Sequence, residues 1–274
     1  MREAEWRRQR MGLTLFVSLL ILFTWEMIRG PFFAAARAVT AEITLEQPEN
    51  GFSMEVVAVS KPQKRVGRIY LYHTHTYEAY EMDENDRYTP TETWRTADEQ
   101  YNMIRVGEEL KRYLEDAGLT VTHDTTAYEP PKLSTAYGRS LVGIENAAKE
   151  GYDLYIDLHR DSYSAGNGVN TVDTPSGRAA RLLFLIGQGT GTGFDERPDW
   201  ETNQKVALLL SDALNDQLPS LCRGVSLKSG RYNQQAATPS MLIEVGNNKN
   251  TLREALNAMP YLAQAICRLF DLSE

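Results

Sequence analysis

The alternation of apolar and polar segments predicts strands and helices in turn from about residue 64 to the end of the chain. Short apolar runs predict five strands, and longer segments with apolar residues at helical spacing predict four helices. The predicted strands are Val66–His73, Leu119–His123, Leu154–His159, Leu182–Ile186 and Met241–Val245. The predicted helices are Glu99–Ala117, Ser140–Lys149, Thr202–Leu218 and Thr251–Leu272. Strands that alternate with helices predict an α/β fold, with a mostly parallel sheet flanked by helices.

Glycine and proline mark breaks within this pattern. Gly118 is placed to end the first helix, and Pro260 is expected to kink or split the last one. The glycine-rich stretch 187–193 follows a predicted strand but lacks the Gly-Lys-Ser/Thr of a phosphate-binding loop. We expect it to form a flexible loop near the cleft.

The first 63 residues differ in composition from the rest. Four arginines in residues 1–10 precede an uncharged run from Met11 to Trp25. As a helix this run is about 22 Å long, shorter than a hydrocarbon core of ~30 Å, and Ala36-Arg37-Ala38 offers a signal-peptidase site. We favour an uncleaved anchor over a cleaved signal peptide. Either case predicts that the bulk of the chain lies outside the cytoplasm, as a single-pass membrane protein or in a secreted form.

The predicted organisation therefore has three parts. Residues 1–38 form a basic flank with a transmembrane anchor or signal segment, residues 39–63 form an extracytoplasmic tether, and residues 64–274 form the catalytic domain. The formal net charge of −8 and the lack of a basic stripe argue against nucleic-acid binding. Cys222 and Cys267 form either one disulfide or, as we favour, two thiols.

Histidines and a glutamate at the ends of predicted strands are the main candidates for chemistry. The chain has four histidines, and the stretch LYHTHTYE places His73 and His75 just before Glu78. His159 ends a second predicted strand. Two imidazoles and one carboxylate can hold a catalytic Zn²⁺ while the fourth position stays open to water. We predict that His75, Glu78 and His159 bind zinc, because the spacing from His75 to Glu78 supplies two ligands from one turn, and we keep His73 as an alternative ligand.

Further polar residues complete the predicted site. Glu244 ends an apolar strand, where a carboxylate is suited to act as general base. Asp157 lies two residues before His159, so strand alternation places it on the same face as a partner that orients the imidazole. Arg231 and Asn233 precede the Glu244 strand, and Arg231 is a candidate to bind a substrate carboxylate. We interpret His123 as an ordinary polar group.

The chain resembles the stage II sporulation protein P family of bacterial cell-wall hydrolases. The matching segments occur in the family's order and cover the chain from about Arg65 to its end. They are YHTHTYEAY (Tyr72–Tyr80), the segment Asn102–Thr126, YGRSL (Tyr137–Leu141), IDLHRDS (Ile156–Ser162), RYNQ (Arg231–Gln234) and LIEVGNNKN (Leu242–Asn250).

The resemblance implies a fold like that of zinc amidases and carboxypeptidases, and N-acetylmuramoyl-L-alanine amidase activity on peptidoglycan during endospore engulfment. It also implies endopeptidase activity on stem-peptide crosslinks as a possible addition, a membrane anchor, and stage II sporulation protein D as a partner. By position, His75, Glu78 and His159 correspond to the zinc ligands and Glu244 to the catalytic residue. Two features depart from the family: Tyr77 stands where a serine is expected, and the tether is short.

Two alternatives to an amidase remain from the sequence. The first is an extracytoplasmic zinc peptidase, in which Arg231 would bind the carboxylate of the peptide. The second is a catalytically silent wall-binding module. The presence of the ligands together with Glu244 argues against this second alternative.

Overall fold

The computed structural model describes residues 66–163, 170–191 and 193–271. The predictions for the anchor, the signal-peptide alternative and the tether lie outside these residues. Within the described ranges, no helix combines the length and hydropathy needed to cross a membrane.

A six-stranded sheet forms the centre of the described structure. Numbered in chain order, its strands are β1 (Arg68–Tyr72), β2 (Thr120–His123), β3 (Leu154–Asp161), β6 (Leu182–Gly187), β7 (Cys222–Lys228) and β8 (Ser240–Asn247), and a separate two-stranded hairpin contains β4 (Thr171–Thr174) and β5 (Gly177–Ala180). The strand order is β2-β1-β3-β8-β6-β7. The five predicted strands are therefore present, whereas the hairpin and β7 were not predicted.

Strand direction divides the sheet into two parts. Strands β2, β1, β3 and β8 are parallel, β6 is antiparallel to β8, and β7 is parallel to β6. The mostly parallel sheet is thus confirmed, with β6 and β7 reversed. The reversal means that the glycine-rich stretch after β6 begins at the edge where β3 and β8 start, opposite the edge of the predicted site. There it packs against residues 229–231 of the segment before β8, and its place near the cleft stays a prediction.

Among the described residues, three α-helices connect strands and a fourth follows β8. They are α1 (Met103–Asp116), α2 (Ala136–Glu150), α3 (Trp200–Gln217) and α4 (Leu252–Asp271). Helix α1 begins four residues later than predicted because the Asn102 side chain caps it, accepting the Ile104 N–H at 2.9 Å. Pro260 lies inside α4 without splitting it.

The two faces of the sheet differ in chemistry because successive side chains of a strand point to opposite sides. In β3, Leu154, Ile156 and Leu158 are fully buried in the main hydrophobic core, to which α1, α3 and α4 also contribute. The alternate residues of β3 include Asp157 and His159, which lie on the other face. This second face carries a smaller cluster of tyrosines packed against α2 and the segment before β8. One face therefore stabilises the fold, and the other is available for polar groups.

Candidate functional site

A turn directly after β1 carries the first two predicted ligands. The strand ends at Tyr72, and the backbone N–H of Glu78 donates to the carbonyl of His75 at 3.2 Å. The turn is held against a neighbouring loop by two backbone hydrogen bonds of 2.9 Å, from Ala79 to Trp94 and from Thr96 to Tyr77. Because the chain folds back within three residues, His75 and Glu78 reach the same edge of the sheet.

The ends of β3 and β8 add the other two predicted residues. His159 and Glu244 are direct neighbours in the parallel register of these strands, so their side chains share one face. His159 Nδ1 lies 3.4 Å from Glu78 Oε2. The rings of His75 and His159 have centroids 5.3 Å apart and stand almost perpendicular. The structure thus brings together the four residues for which the sequence predicted chemistry.

Asp157 contacts His159 from the side opposite Glu78. Its Oδ1 lies 2.7 Å from His159 Nε2. The same carboxylate accepts the backbone N–H of Thr74 at 2.8 Å and the Thr74 hydroxyl at 2.7 Å. Asp157 therefore fixes both the orientation of the His159 ring and the start of the turn that carries His75.

The electrostatics of this cluster favour positive charge between its carboxylates. Burial disfavours ionisation of Glu78, but hydrogen bonding to His159 and the charge of Arg160 outweigh it and lower the pKa of Glu78 to about 2. Burial likewise opposes a charged His159, yet Asp157 and Glu78 raise its pKa well above the usual value. Arg160 also donates its backbone N–H to Glu78 Oε2 at 3.2 Å. The negative charges of Asp157 and Glu78 that stabilise a proton on His159 would also stabilise a metal cation at the same position.

Glu244 differs from the other carboxylates of the site. Its Oε2 is buried and has no hydrogen-bond partner among the described residues. Burial, together with repulsion from Glu78 and Asp161, raises the pKa of Glu244 to about 8. Glu244 is therefore a carboxyl group beside the histidine cluster without an ion pair in the described part of the chain, and the nearby charges of His159 and Arg160 offset only part of its raised pKa. A group that is not held in an ion pair can transfer a proton.

His73 lies away from this cluster, although the sequence left it as an alternative ligand. Its Nδ1 is 2.8 Å from the Leu158 carbonyl and its Nε2 is 2.8 Å from His123 Nε2, so both ring nitrogens are occupied inside the protein. Burial and the neighbouring His123 lower the pKa of His73 to about 3. His123 in turn contacts Glu108 at 2.6 Å, as expected of an ordinary polar group. Because β1 ends at Tyr72, before both histidines, strand alternation does not relate the directions of His73 and His75.

The two predicted substrate-binding residues lie in the connection from β7 to β8. Asn233 is buried, and its amide nitrogen donates to Tyr137 O at 2.8 Å and Ser140 Oγ at 2.9 Å, so it ties this connection to α2. The guanidinium of Arg231 stacks on the Phe194 ring at 4.5 Å. Between them, Tyr232 contacts the Tyr137 ring with centroids 5.9 Å apart. The amide nitrogen of Asn233 is therefore used inside the protein, and substrate binding by Arg231 and Asn233 stays a prediction.

Two residues near His75 were missed by the sequence reasoning. The ring of Tyr137 contacts the ring of His75 with centroids 5.5 Å apart. Glu129 is buried with Oε1 3.6 Å from His75 Nδ1. Glu129 lies in a loop without periodicity, and the one sequence signal is an isolated glutamate before two prolines.

Cys222 carries a buried free thiol 3.6 Å from Gly224 O, as favoured from the sequence.

Two imidazoles and a carboxylate, from His75, His159 and Glu78, are groups that bind zinc, and one distance between them also agrees with a zinc site. Two ligands at about 2.0–2.1 Å from a tetrahedral Zn²⁺ lie about 3.3 Å apart, close to the 3.4 Å between His159 Nδ1 and Glu78 Oε2. The Nδ1 of His75 has no hydrogen-bond partner in the described part of the chain, since Glu129 Oε1, which faces it, lies 3.6 Å away. However, no group of three His, Cys, Asp or Glu side chains within the described ranges is already arranged to hold a metal. The residues fit the metal in chemistry, and the metal itself stays a prediction.

Several solved structures are similar to this chain. Among solved structures, the chain is similar to the amidase AmiC2 of Nostoc punctiforme (15% identity, TM-score 0.46, covering 76% of this chain and 98% of that one). It is also similar to the CwlD amidase of Clostridioides difficile, solved with the GerS lipoprotein (11% identity, TM-score 0.48, 76% and 100%), and to the catalytic domain of the amidase CwlV of Bacillus (Paenibacillus) polymyxa (12%, 0.47, 76% and 100%).

Sequence comparison identifies the family. The chain is 26% identical over 215 residues to stage II sporulation protein P of Bacillus subtilis, which corresponds to 74% of this chain and 51% of the relative. It thus spans about half the length of that protein. The family model of stage II sporulation protein P matches residues 36–267. The chain therefore belongs to the stage II sporulation protein P family.

Proposed function

We propose that this protein is a zinc-dependent N-acetylmuramoyl-L-alanine amidase that acts on peptidoglycan during endospore engulfment. The observation that carries the proposal is the convergence of His75, Glu78, His159 and Glu244 at one edge of the sheet, with Glu244 adjacent to His159 in register. Membership of the sporulation family supports the substrate and the cellular process.

The roles follow from the donor atoms that each residue presents. His75, Glu78 and His159 would hold Zn²⁺, which when bound lowers the pKa of a water ligand and polarises a carbonyl. Glu244, whose ionised form a bound Zn²⁺ would favour, would accept the proton of the attacking water through its unpaired oxygen and deliver it to the leaving amine. Asp157 holds His159 in the orientation that presents Nδ1 to Glu78.

Access to the site is compatible with a large substrate. The side chain of His75 is 20% exposed, in contrast to the buried side chains of Glu78 and His159. Tyr137 lies beside His75, where an aromatic ring can contact the substrate. We propose that the polymer approaches from the side of His75 while Glu78 and His159 stay inside the protein.

Location and partners follow from the same proposal. An N-terminal anchor would place the catalytic domain outside the cytoplasm, where peptidoglycan is found. Stage II sporulation protein D would be a partner, because an enzyme that removes stem peptides leaves glycan for another enzyme to cleave. We propose no nucleic-acid ligand, in agreement with the negative formal charge.

Mass spectrometry of digested peptidoglycan tests the proposal. The purified full chain with zinc should release intact stem peptides from the glycan, and the Glu244→Gln variant should bind zinc but release almost none. Shortened stems would instead identify a peptidase, and binding without any product would identify a silent wall-binding module. Metal analysis of the same preparation should give about one zinc per chain. Full activity after complete zinc removal would contradict the metal proposal.

A further inference from the structure

Glu129 is a buried carboxylate next to a predicted zinc ligand. It is 5% exposed although it lies in the loop between β2 and α2. Its Oε1 lies 3.6 Å from His75 Nδ1 and accepts the backbone N–H of Tyr77 at 3.3 Å. One carboxylate oxygen thus hydrogen-bonds the backbone of the turn and lies beside the imidazole that the turn presents, beyond hydrogen-bond distance from it.

A buried arginine balances the charge of Glu129. The guanidinium of Arg95 forms an ion pair with Glu129 Oε1. Arg95 is aligned opposite Glu78 in an isolated antiparallel bridge, so it is fixed to the same turn as His75. A buried carboxylate without such a partner would be costly, which indicates that the two residues form one unit.

The loop that carries Glu129 is itself fastened to α2. Arg139 donates to the Glu129 carbonyl at 2.7 Å, to the Tyr128 carbonyl at 2.6 Å and to the Lys132 carbonyl at 2.8 Å. These bonds act on backbone atoms and leave the Glu129 side chain directed at His75. The position of the carboxylate is therefore set by contacts on both sides of the loop.

The arrangement repeats what Asp157 does for His159. Asp157 contacts Nε2 of His159, and the other ring nitrogen faces Glu78. In the same way Glu129 faces Nδ1 of His75, which leaves Nε2 as the nitrogen available to a ligand. Carboxylates that contact the second nitrogen of a metal-binding histidine fix its tautomer and orientation.

We propose that Glu129, held by Arg95, is a positioning residue that orients His75 for metal binding. This inference rests on the proposed zinc site. The negative charge of Glu129 beside Nδ1 favours the tautomer with its proton on that nitrogen, so the lone pair of Nε2 is available to the metal. Glu129 contacts neither the metal nor the substrate in this role.

Zinc affinity, measured by competition with a chromogenic chelator, tests the proposal on the purified full chain. Glu129→Gln keeps the shape of the side chain but removes its charge, and we expect zinc to bind ~10–100-fold more weakly. Excess zinc should restore most of the amidase activity, which a purely structural defect would not allow. Glu108→Gln is the matched control, because it removes a carboxylate from His123 instead, and its zinc affinity should stay within about twofold of wild type.

Arg95 would be left without its partner in the single variant, which can impair folding. If Glu129→Gln shows no cooperative melting, the double variant Glu129→Gln/Arg95→Gln removes both charges and should show the same loss of zinc affinity. Unchanged zinc affinity in the variant that folds would overturn the inference alone, whether or not activity is lost. A wild-type chain that binds no zinc would overturn the proposed function together with it.

Discussion

Replacing Glu244 by glutamine should inactivate the enzyme and stabilise the metal-free protein. Burial raises the pKa of Glu244 to about 8 from its usual 4.5. The folded protein therefore keeps a proton on Glu244 between pH 4.5 and 8, whereas the unfolded chain has already lost it. Stability from this group is fully present below pH 4.5 and is lost as the pH rises through 8. Glutamine never ionises, so the variant avoids this loss.

The size of the effect follows from the shift in pKa. Each unit corresponds to about 1.4 kcal/mol, so the difference in free energy of unfolding should grow from near zero at pH 4.5 to about 3 kcal/mol at pH 7. It should reach about 5 kcal/mol at most above pH 8. Activity should fall by ~10²–10⁴-fold, as expected when a general base is removed.

Urea unfolding of the full chain with a metal chelator present measures the difference at pH 5 and pH 8.5. The exposed residue Glu145 offers a control, because Glu145→Gln should change the free energy of unfolding by less than ~0.5 kcal/mol at either pH. If the variant and the wild type differ in free energy of unfolding by the same amount at both pH values, the reasoning is refuted. Glu244 would then be charged in the folded protein over the whole range.

Three other substitutions probe the support of the site. Asp157→Asn should weaken zinc binding ~10–100-fold in chelator competition, because it removes the charge beside His159; unchanged affinity would contradict its orienting role. Asn233→Ala should lower the free energy of unfolding, measured in urea, by ~1–3 kcal/mol, since it removes two hydrogen bonds to α2. A loss in free energy of unfolding smaller than that of an exposed surface variant would disprove this. Leu158→Ala should cost ~2–5 kcal/mol because the side chain is fully buried, whereas Leu209→Ala, which alters an exposed side chain, should cost less than ~0.5 kcal/mol.

The sequence predicted the strands with strong apolar character but not the direction of each strand. The run Leu182–Ile186 is apolar throughout, and such a run has the same pattern in a parallel or an antiparallel position. Its reversal depends on pairing with β8, which is a tertiary contact. The edge strand β7 was missed because most of its residues are only partly buried, so no apolar run or clear alternation marks it.

Prediction of the site depended on where each residue lies relative to a strand end. His159 and Glu244 were predicted at the ends of strands, and the register of β3 with β8 places them side by side. His73 and His75 follow the end of β1, where alternation no longer applies, and the hydrogen bond of His73 to the Leu158 carbonyl could not be read from spacing. Glu129 comes to His75 through loop packing, for which the sequence has no periodic signal.

The position of the site on the sheet explains how this fold tolerates so many buried polar groups. The apolar side chains of β3 face the main core, so Asp157 and His159 can face the other side without leaving a gap in it. On that side each imidazole of the site has a carboxylate near one nitrogen, and the carboxylates Glu78 and Glu129 each have an arginine partner. Glu244 lacks such a cation, and its raised pKa is the energetic consequence. Stability alone does not account for a glutamate at position 244, whereas the proposed general-base role does.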